Sequence, residues 1–433
     1  MIKTIHPFIQ RVLLISIFTG IGLLGIAQTT YIYCGHWVDT EAGKVEGKAT
    51  IIVDADTITA LRNGWIDAPS DVKTVDLKDK WVLPGLIDMH VHIESETNPR
   101  KYMEKYVFEE ADIAYKAQHF AMVTLDAGFT TVRDVGGTGV NVSLRDAINS
   151  GLVKGPRIFT SRKSIAVTGG HADPTAGSKV GLFDVPGPQH GVANGPAECR
   201  HAVRYQYKHG ADLIKITATG GVLSVAKDGF RPAFSKDELE AIVSTADDLG
   251  MMVAAHAHGD EGMRRAVEAG VKTIEHGTMM SEETMKLMIE KDAYLVPTIT
   301  AGKSVADSAK IPNYYPDIVK PKALFIGPKI QNTFSKAYKM GVPIAFGTDA
   351  GVFMHGRNAL EFEYMVEAGM PAMEAIQSAT TVNAELLGLK NKIGVIKAGA
   401  YADLVAVSAD PVDDIKTLQE VLWVMKNGTI YKE

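Results

Sequence analysis

The apolar run VLPGLIDMHVH ends in two histidines, His90 and His92, one residue apart. On an extended strand side chains alternate between faces, so positions i and i+2 point the same way and these two imidazoles converge. Other apolar stretches end in residues of the same kind. LIKIT carries Lys215, AAHAHG carries His256 and His258, TIEHG carries His276, and FGTDA carries Asp349. One histidine on an apolar face is more often a satisfied core residue. A set of them at the ends of successive strands points instead to a divalent-metal site. Imidazole and carboxylate donors with open positions are what a catalytic zinc ion uses. The chain has only two cysteines, Cys34 and Cys199, so a cysteine-ligated zinc site is excluded. Neither GxSxG nor HExxH occurs, which argues against nucleophile-elbow and zincin chemistry.

Lys215 is of a different type. An ammonium inside a buried strand is expensive unless it is neutralised or paired. Desolvation depresses a lysine pKa, and the neutral amine can take up carbon dioxide. The resulting carbamate is an anion with two oxygens, able to bridge two metals. The alternative is an ion pair with a nearby acid such as Asp212 or Glu275.

The elements that must hold these residues share one form. LDAGFTTVRDV, KHGADLIKIT, DLGMMVAAHAH, VEAGVKTIEHG and YKMGVPIAFGTDA each run from a helix end through a glycine into a short apolar strand. Glycine suits the left-handed position just past a helix C-terminus. Continuous apolar strands are expected where a parallel sheet is covered on both faces. With VLPGLIDMHVH, PRIFTS and AYLVPT they predict eight strands between residues 82 and 349. That is the content of a (β/α)8 TIM barrel, about 250 residues long, whose chemistry sits at the C-terminal strand ends. A doubly wound open sheet is the alternative, but no glycine-rich phosphate loop follows the first strand.

Residues 30–81 and 393–433 have a different texture, short strands joined by turns. Neither flank is long enough for a core of its own, so they are expected to pair as one small β-sandwich. The N-terminus MIKTIHPFIQR carries Lys3 and Arg11, and VLLISIFTGIGLLGIA after it is uncharged. A basic start, an apolar run and small residues at Gly25 and Ala27 form a secretory signal. The run falls short of the ~20 residues needed to span a bilayer, so no stable membrane anchor is expected and the mature protein is periplasmic or secreted. The expected division is a signal peptide over 1–27, a β-sandwich from 28–81 and 389–433, and a metal-dependent barrel over 82–388. With 46% hydrophobic and 22% charged residues the chain is core-forming. Its net charge of -6 gives no electrostatic case for nucleic acid. Whether Cys34 and Cys199 pair is open.

PGLIDMHVH, LIKITATGG, AAHAHG, TIEHG, FGTDA and the closing GVIKAGAYADLVAV together resemble the amidohydrolase superfamily, in its imidazolonepropionase-like and Xaa-Pro dipeptidase (prolidase-type) branch. The resemblance implies two divalent ions, zinc by expectation, and a metal-bridging hydroxide as attacking group. It implies His90 and His92 on one metal, His256 and His276 on the second, and a carbamylated Lys215 between them. Asp349 would bind the first metal and act as the proton carrier. By the family pattern His256 is the ligand of the HAHG pair; His258 shares its face of the strand and would contact substrate. TGGHADP also matches a family loop, which implies that His171 reaches the scissile group. For His171 and His258 the plainer alternative is a solvated loop residue.

Two stretches are expected to shape the pocket. TGGVLSVAKDGFRPAFS carries Lys227 and Arg231, cations that could hold a substrate carboxylate or simply be solvated. TITAGKSVADSAKIPNYYPDIVKPKALF is long enough to serve as a lid. The resulting expectation is an exported homo-oligomeric amidohydrolase acting on dipeptides (Xaa-Pro-like) or N-acyl amino acids. The alternatives are cyclic amides, lactones or phosphotriesters on the same fold, and a non-catalytic metal-binding scaffold.

Overall fold

The computed structural model describes residues 29–227 and 229–433, so the expected signal segment lies outside the described residues. The flanks contribute β1 (Thr30–Asp39), β2 (Lys44–Glu46), β3 (Ala49–Asp54), β4 (Thr57–Asn63), β5 (Lys73–Pro84), β13 (Leu404–Val407), β14 (Trp423–Lys426) and β15 (Thr429–Lys432). These eight strands form one sheet, ordered β15-β14-β13-β5-β1-β3-β4 with β2 beside β1. The two ends of the chain meet where β13 runs antiparallel to β5. Buried and part-buried residues alternate at the start of β1, as in a sheet with one covered face. Ile32, Ile51, Val53, Leu404 and Met425 belong to a core separate from the main one.

Between the flanks lie β6 (Leu86–Val91), β7 (Phe129–Asp134), β8 (Arg157–Thr160), β9 (Ile214–Thr217), β10 (Val253–Gly259), β11 (Thr273–Met279) and β12 (Tyr294–Val296). All pair in parallel, as a sheet β6-β7-β8 and a sheet β12-β11-β10-β9. β6, β7, β9 and β10 are buried along their whole length. This is why they read as unbroken apolar runs. The helices between them are α1 (Lys101–Val107), α2 (Glu110–Asp126), α3 (Val140–Asn149), α4 (Gly195–Lys208), α5 (Lys236–Asp248), α6 (Asp260–Glu268) and α7 (Glu282–Glu290). The expected glycine junctions are present; Gly250 after α5 and Gly270 after α6 have φ of +71° and +102°.

The structure corrects two expectations and gives a third its form. VLPGLIDMHVH is two strands in two sheets, because β5 ends at Pro84 and β6 starts at Leu86. The break is at Gly85, where a Cβ would lie 2.1 Å from Thr130 Oγ1. The eighth expected strand is not a regular strand among the described residues. The segment 343–350 instead bonds on both sides: Leu295 N donates to Pro343 O at 2.8 Å, and His92 N donates to Ala350 O at 2.8 Å. Parallel bridges Leu295–Ile344 and Val91–Ala350 thus link it to β12 and to β6, and Ile165–Ile216 links the chain beyond β8 to β9. Finally, the expected lid after the seventh strand is mostly helical, forming α8 (Ile299–Ser308) and the start of α9 (Lys320–Met340). The reason is a distant cap. The buried Glu361 carboxylate, on α10 (Leu360–Glu367), accepts from Ile299 N at 2.7 Å and Thr300 N at 2.8 Å. It satisfies orphan N–H groups at the start of α8.

Candidate active site

His90 and His92 do share a face, at the end of β6. Each has its Nδ1 already committed: His90 to Glu275 Oε2 at 2.7 Å and His92 to Gly136 O at 2.7 Å. A carbonyl or carboxylate oxygen can only accept, so both Nδ1 atoms carry the proton and both Nε2 atoms present a lone pair. Each Nε2 lies 3.4 Å from Asp349 Oδ1. That oxygen is buried and has no hydrogen-bond partner. Three potential ligand atoms therefore face one another with no hydrogen bond made by the carboxylate oxygen, an arrangement that a cation relieves. Asp349 is held there by a left-handed backbone, φ +63°, and by Asp349 N donating to His90 O at 2.7 Å.

His256, His258 and His276 form a second group, with one ligand atom from each within 4.8 Å of the others; His90, His92 and Asp349 meet the same criterion. His256 Nε2 donates to Gly220 O at 3.0 Å, which leaves its Nδ1 as the free donor atom. The Nδ1 atoms of His258 and His276 face Thr278 Oγ1 at 2.9 Å and Thr298 Oγ1 at 2.7 Å. His276 also has a positive φ, +73°, which turns its side chain at the end of β11. The two groups adjoin, since the His90 and His276 ring centroids are 5.0 Å apart. Burial is the main force holding the imidazoles of His90, His256, His258 and His276 far below the usual range. All four are neutral at pH 7 and ready to ligate.

Lys215 lies between the groups, on β9, 3% exposed. Its ammonium makes no hydrogen bond and no ion pair among the described residues. The two acids that could have paired with it are engaged elsewhere. Asp212 binds Arg145 at 2.8 Å and Thr160 N at 2.8 Å; Glu275 binds Arg133 at 2.8 Å and His90. Burial drives the Lys215 ammonium toward its neutral form and drives the Asp349 carboxyl up. Each thus leans toward neutrality, and no proton is firmly placed between them.

An inner cavity of about 150 Å³ is lined by His90, His92, His171, Lys215, His256, His258, His276 and Asp349. Eight of the nine expected site residues are brought together. The ninth, Arg231, is exposed and lines neither this cavity nor the larger one beside it. His171 stacks on His256 with centroids 4.4 Å apart, and its buried Nδ1 has no partner. The expected lid contributes Ala301, Gly302 and Val305 of α8 to the wall.

Three supporting residues escaped the sequence reading. Arg133, wholly buried, donates to Glu275, Thr273 and Met89 O. Asp88 binds His90 N at 3.0 Å and Thr348 Oγ1 at 2.7 Å, tying β6 to the segment that bears Asp349. Lys322 on α9 donates to the carbonyls of Gly221, Ser224 and Ala226. Arg133 carried the same signal as Lys215, a charge inside an apolar strand. Nothing local marks the other two.

The profile of the amidohydrolase family matches residues 81–431. A solved Xaa-Pro dipeptidase with bound methionine in its active site is 52% identical, over 94% of this chain and 100% of its own, with a TM-score of 0.91. A solved prolidase complexed with N-methylphosphonate-L-proline is 33% identical over 94% of this chain and 100% of its own, with a TM-score of 0.85. Ochratoxinase from Aspergillus niger is 32% identical over 430 residues, 94% of this chain and 87% of that protein. The converging donors thus sit in a chain that belongs to the amidohydrolase family, the hydrolases of carbon–nitrogen bonds.

Proposed function

We propose that this protein is a metal-dependent amidohydrolase that cleaves the amide bond of dipeptides, Xaa-Pro-like among them, or of N-acyl amino acids. One observation carries the reading: His90 Nε2, His92 Nε2 and Asp349 Oδ1 converge, the Asp349 oxygen without a hydrogen-bond partner, beside a second histidine group. The kinship to a Xaa-Pro dipeptidase and a prolidase supports the substrate class. His90, His92 and Asp349 would hold one cation, and His256 and His276 the other. The unpaired Lys215, as its carbamate, would lie between them. Zinc suits the donor set.

When bound, such cations lower the pKa of a water toward neutrality and polarise the amide carbonyl. Asp349 accepts the proton of the attacking water and returns it to the departing nitrogen. His171, with an unpartnered ring nitrogen at the cavity wall, donates to the carbonyl oxygen as charge develops there. His258 shares the cavity and orients the substrate. The segment 343–350 would complete a closed eight-stranded barrel between β12 and β6, with the flank sheet folding as a sandwich beside it. Residues 1–27 would direct export, and the working form would be a homo-oligomer.

The test is metal analysis and an amidase assay on the zinc-loaded protein, with Lys215→Ala beside it. Two equivalents of metal and hydrolysis of a dipeptide or N-acyl amino acid are expected, both reduced in the variant. Full activity in Lys215→Ala removes the bridging carbamate. Loaded protein that cleaves no amide in either class overturns the reading.

A further inference from the structure

The inner cavity opens beside a second, larger one. The two share His92, His171, Leu223 and Val352, so a molecule reaching the ligand cluster from the second cavity need cross no barrier of other residues. The second cavity measures about 560 Å³, against about 150 Å³ for the inner one. Its apolar wall comes chiefly from Phe108 after α1, Ile113 in the first turn of α2, and Leu223 and Val225 beyond β9. Tyr102 holds Leu223 in place through its hydroxyl, which donates to Leu223 O at 2.9 Å.

The polar groups on this wall are hydrogen-bonded from within the protein. Glu94 accepts from Thr138 N and Asn141 N at 2.6 Å each. Asp173 accepts from Gly169 N at 2.8 Å and Thr175 N at 2.9 Å. Lys101 pairs with Glu104 at 2.9 Å, and Lys105 donates to Ala176 O at 3.0 Å and Ser178 Oγ at 2.9 Å. A charged group entering here gives up water to polar groups whose hydrogen bonds are already made. An uncharged bulky group gives up nothing and covers the apolar wall.

We propose that the larger cavity is a specificity subsite for a bulky, uncharged, preferably aromatic side chain on one side of the scissile amide, and that the inner cavity restricts the other side to a small apolar group. The proposal rests on the amide-hydrolase reading for the bond cleaved. The subsite itself stands on the cavity walls alone.

Two dipeptide series, Xaa-Ala and Ala-Xaa with Xaa as Gly, Leu, Phe, Trp, Asp or Lys, test it on the zinc-loaded protein. Calorimetry with free L-phenylalanine, L-tryptophan, L-aspartate and L-lysine gives a second readout that needs no turnover. In one series Phe and Trp should exceed Gly in kcat/KM by roughly tenfold or more, with Asp and Lys no better than Gly. Ile113→Trp, which fills the cavity, should collapse that preference and weaken aromatic amino-acid binding; Val225→Trp, at another lining residue, does the same should the first variant fail to fold. Cleavage with a flat or charge-favouring profile in both series overturns the subsite and leaves the amidase reading standing. Aromatic binding that Ile113→Trp abolishes, with no cleavage of these peptides, of Xaa-Pro dipeptides or of N-acyl amino acids, sustains the subsite and overturns the amidase reading. Neither cleavage in any of these classes nor selective binding overturns both.

Discussion

Glu275 Oε2 accepts from His90 Nδ1 at 2.7 Å while Glu275 Oε1 holds the buried Arg133 guanidinium at 2.8 Å. One carboxylate therefore fixes the tautomer of a metal-facing histidine and neutralises a cation that has no access to water. Outer partners of this kind are worth about 10- to 100-fold in metal affinity. Glu275→Gln should weaken zinc binding by a factor in that range, measured by competition with a chromogenic chelator. It should also destabilise the metal-free protein by roughly 3–5 kcal/mol, because Arg133 is left as an uncompensated buried charge. Wild-type zinc affinity in this variant would show that His90 needs no fixing.

Lys215 and Arg133 make an instructive contrast. Both are cations inside buried strands, but only Arg133 has its acid. Removing an unpaired buried ammonium relieves a desolvation cost, whereas removing a paired one exposes its partner. Lys215→Met should therefore leave the metal-free protein as stable as the parent, or more so, in denaturant titrations. The same variant should bind less metal by elemental analysis. A large loss of metal-free stability would mean that Lys215 is a structural cation.

How much of this was legible depends on the range of the interaction concerned. The parallel strands and their terminal ligands could be read because each is a local pattern: an apolar run, a glycine before it, and a histidine, lysine or aspartate at its end. The split of VLPGLIDMHVH at Gly85 could not, since the close approach that demands glycine there comes from Thr130, a residue on β7. The helix over Ile299–Ser308 was hidden for a similar reason, its cap being Glu361 from α10. The segment 343–350 is bonded on both sides without regular strand geometry, so apolar content alone overstated its order. The site was more legible than its supports because ligands announce themselves by type, whereas Asp88 and Lys322 matter only through where they land.

Buried neutral histidines make the protein acid-labile. Burial holds His258 at about 3 and His355 at about 4, against ~6.5 in an unfolded chain. Below pH 6.5 the unfolded state takes up protons that the folded state refuses, so stability present above that pH is lost as pH falls toward 4. Each such histidine removes about 1.4 kcal/mol per pH unit across the window. Urea unfolding of the metal-free protein at pH 7.5, 6.5, 5.5 and 4.5 should show this slope. His355 lies outside both ligand groups and is bonded to Ser95 O at 3.0 Å; His355→Gln should reduce the proton uptake by about one. An unchanged slope in His355→Gln would mean that this imidazole is charged in the fold.

Lys322 reaches from α9 across the chain to three carbonyls, Gly221 O at 3.1 Å, Ser224 O at 2.6 Å and Ala226 O at 2.8 Å. The loop it gathers carries Val222 and Leu223 on the inner cavity wall. The loop also packs on His171 so tightly that a Cβ on Gly221 would lie 2.2 Å from that ring. A methionine at position 322 keeps the length of the stem and removes all three donors. Hydrogen bonds from a charged donor are worth about 1.5–3 kcal/mol each, and about 1.4 kcal/mol of lost positioning corresponds to tenfold in affinity. Lys322→Met should accordingly raise KM about tenfold or more while the bound metal stays at its parental content. Hydrogen exchange of the amides over 221–226 should quicken in the same variant. The two readouts together separate positioning from ligation: lost metal with unchanged exchange would place the role of Lys322 at the cations, and unchanged KM with faster exchange would show that the loop does not touch substrate.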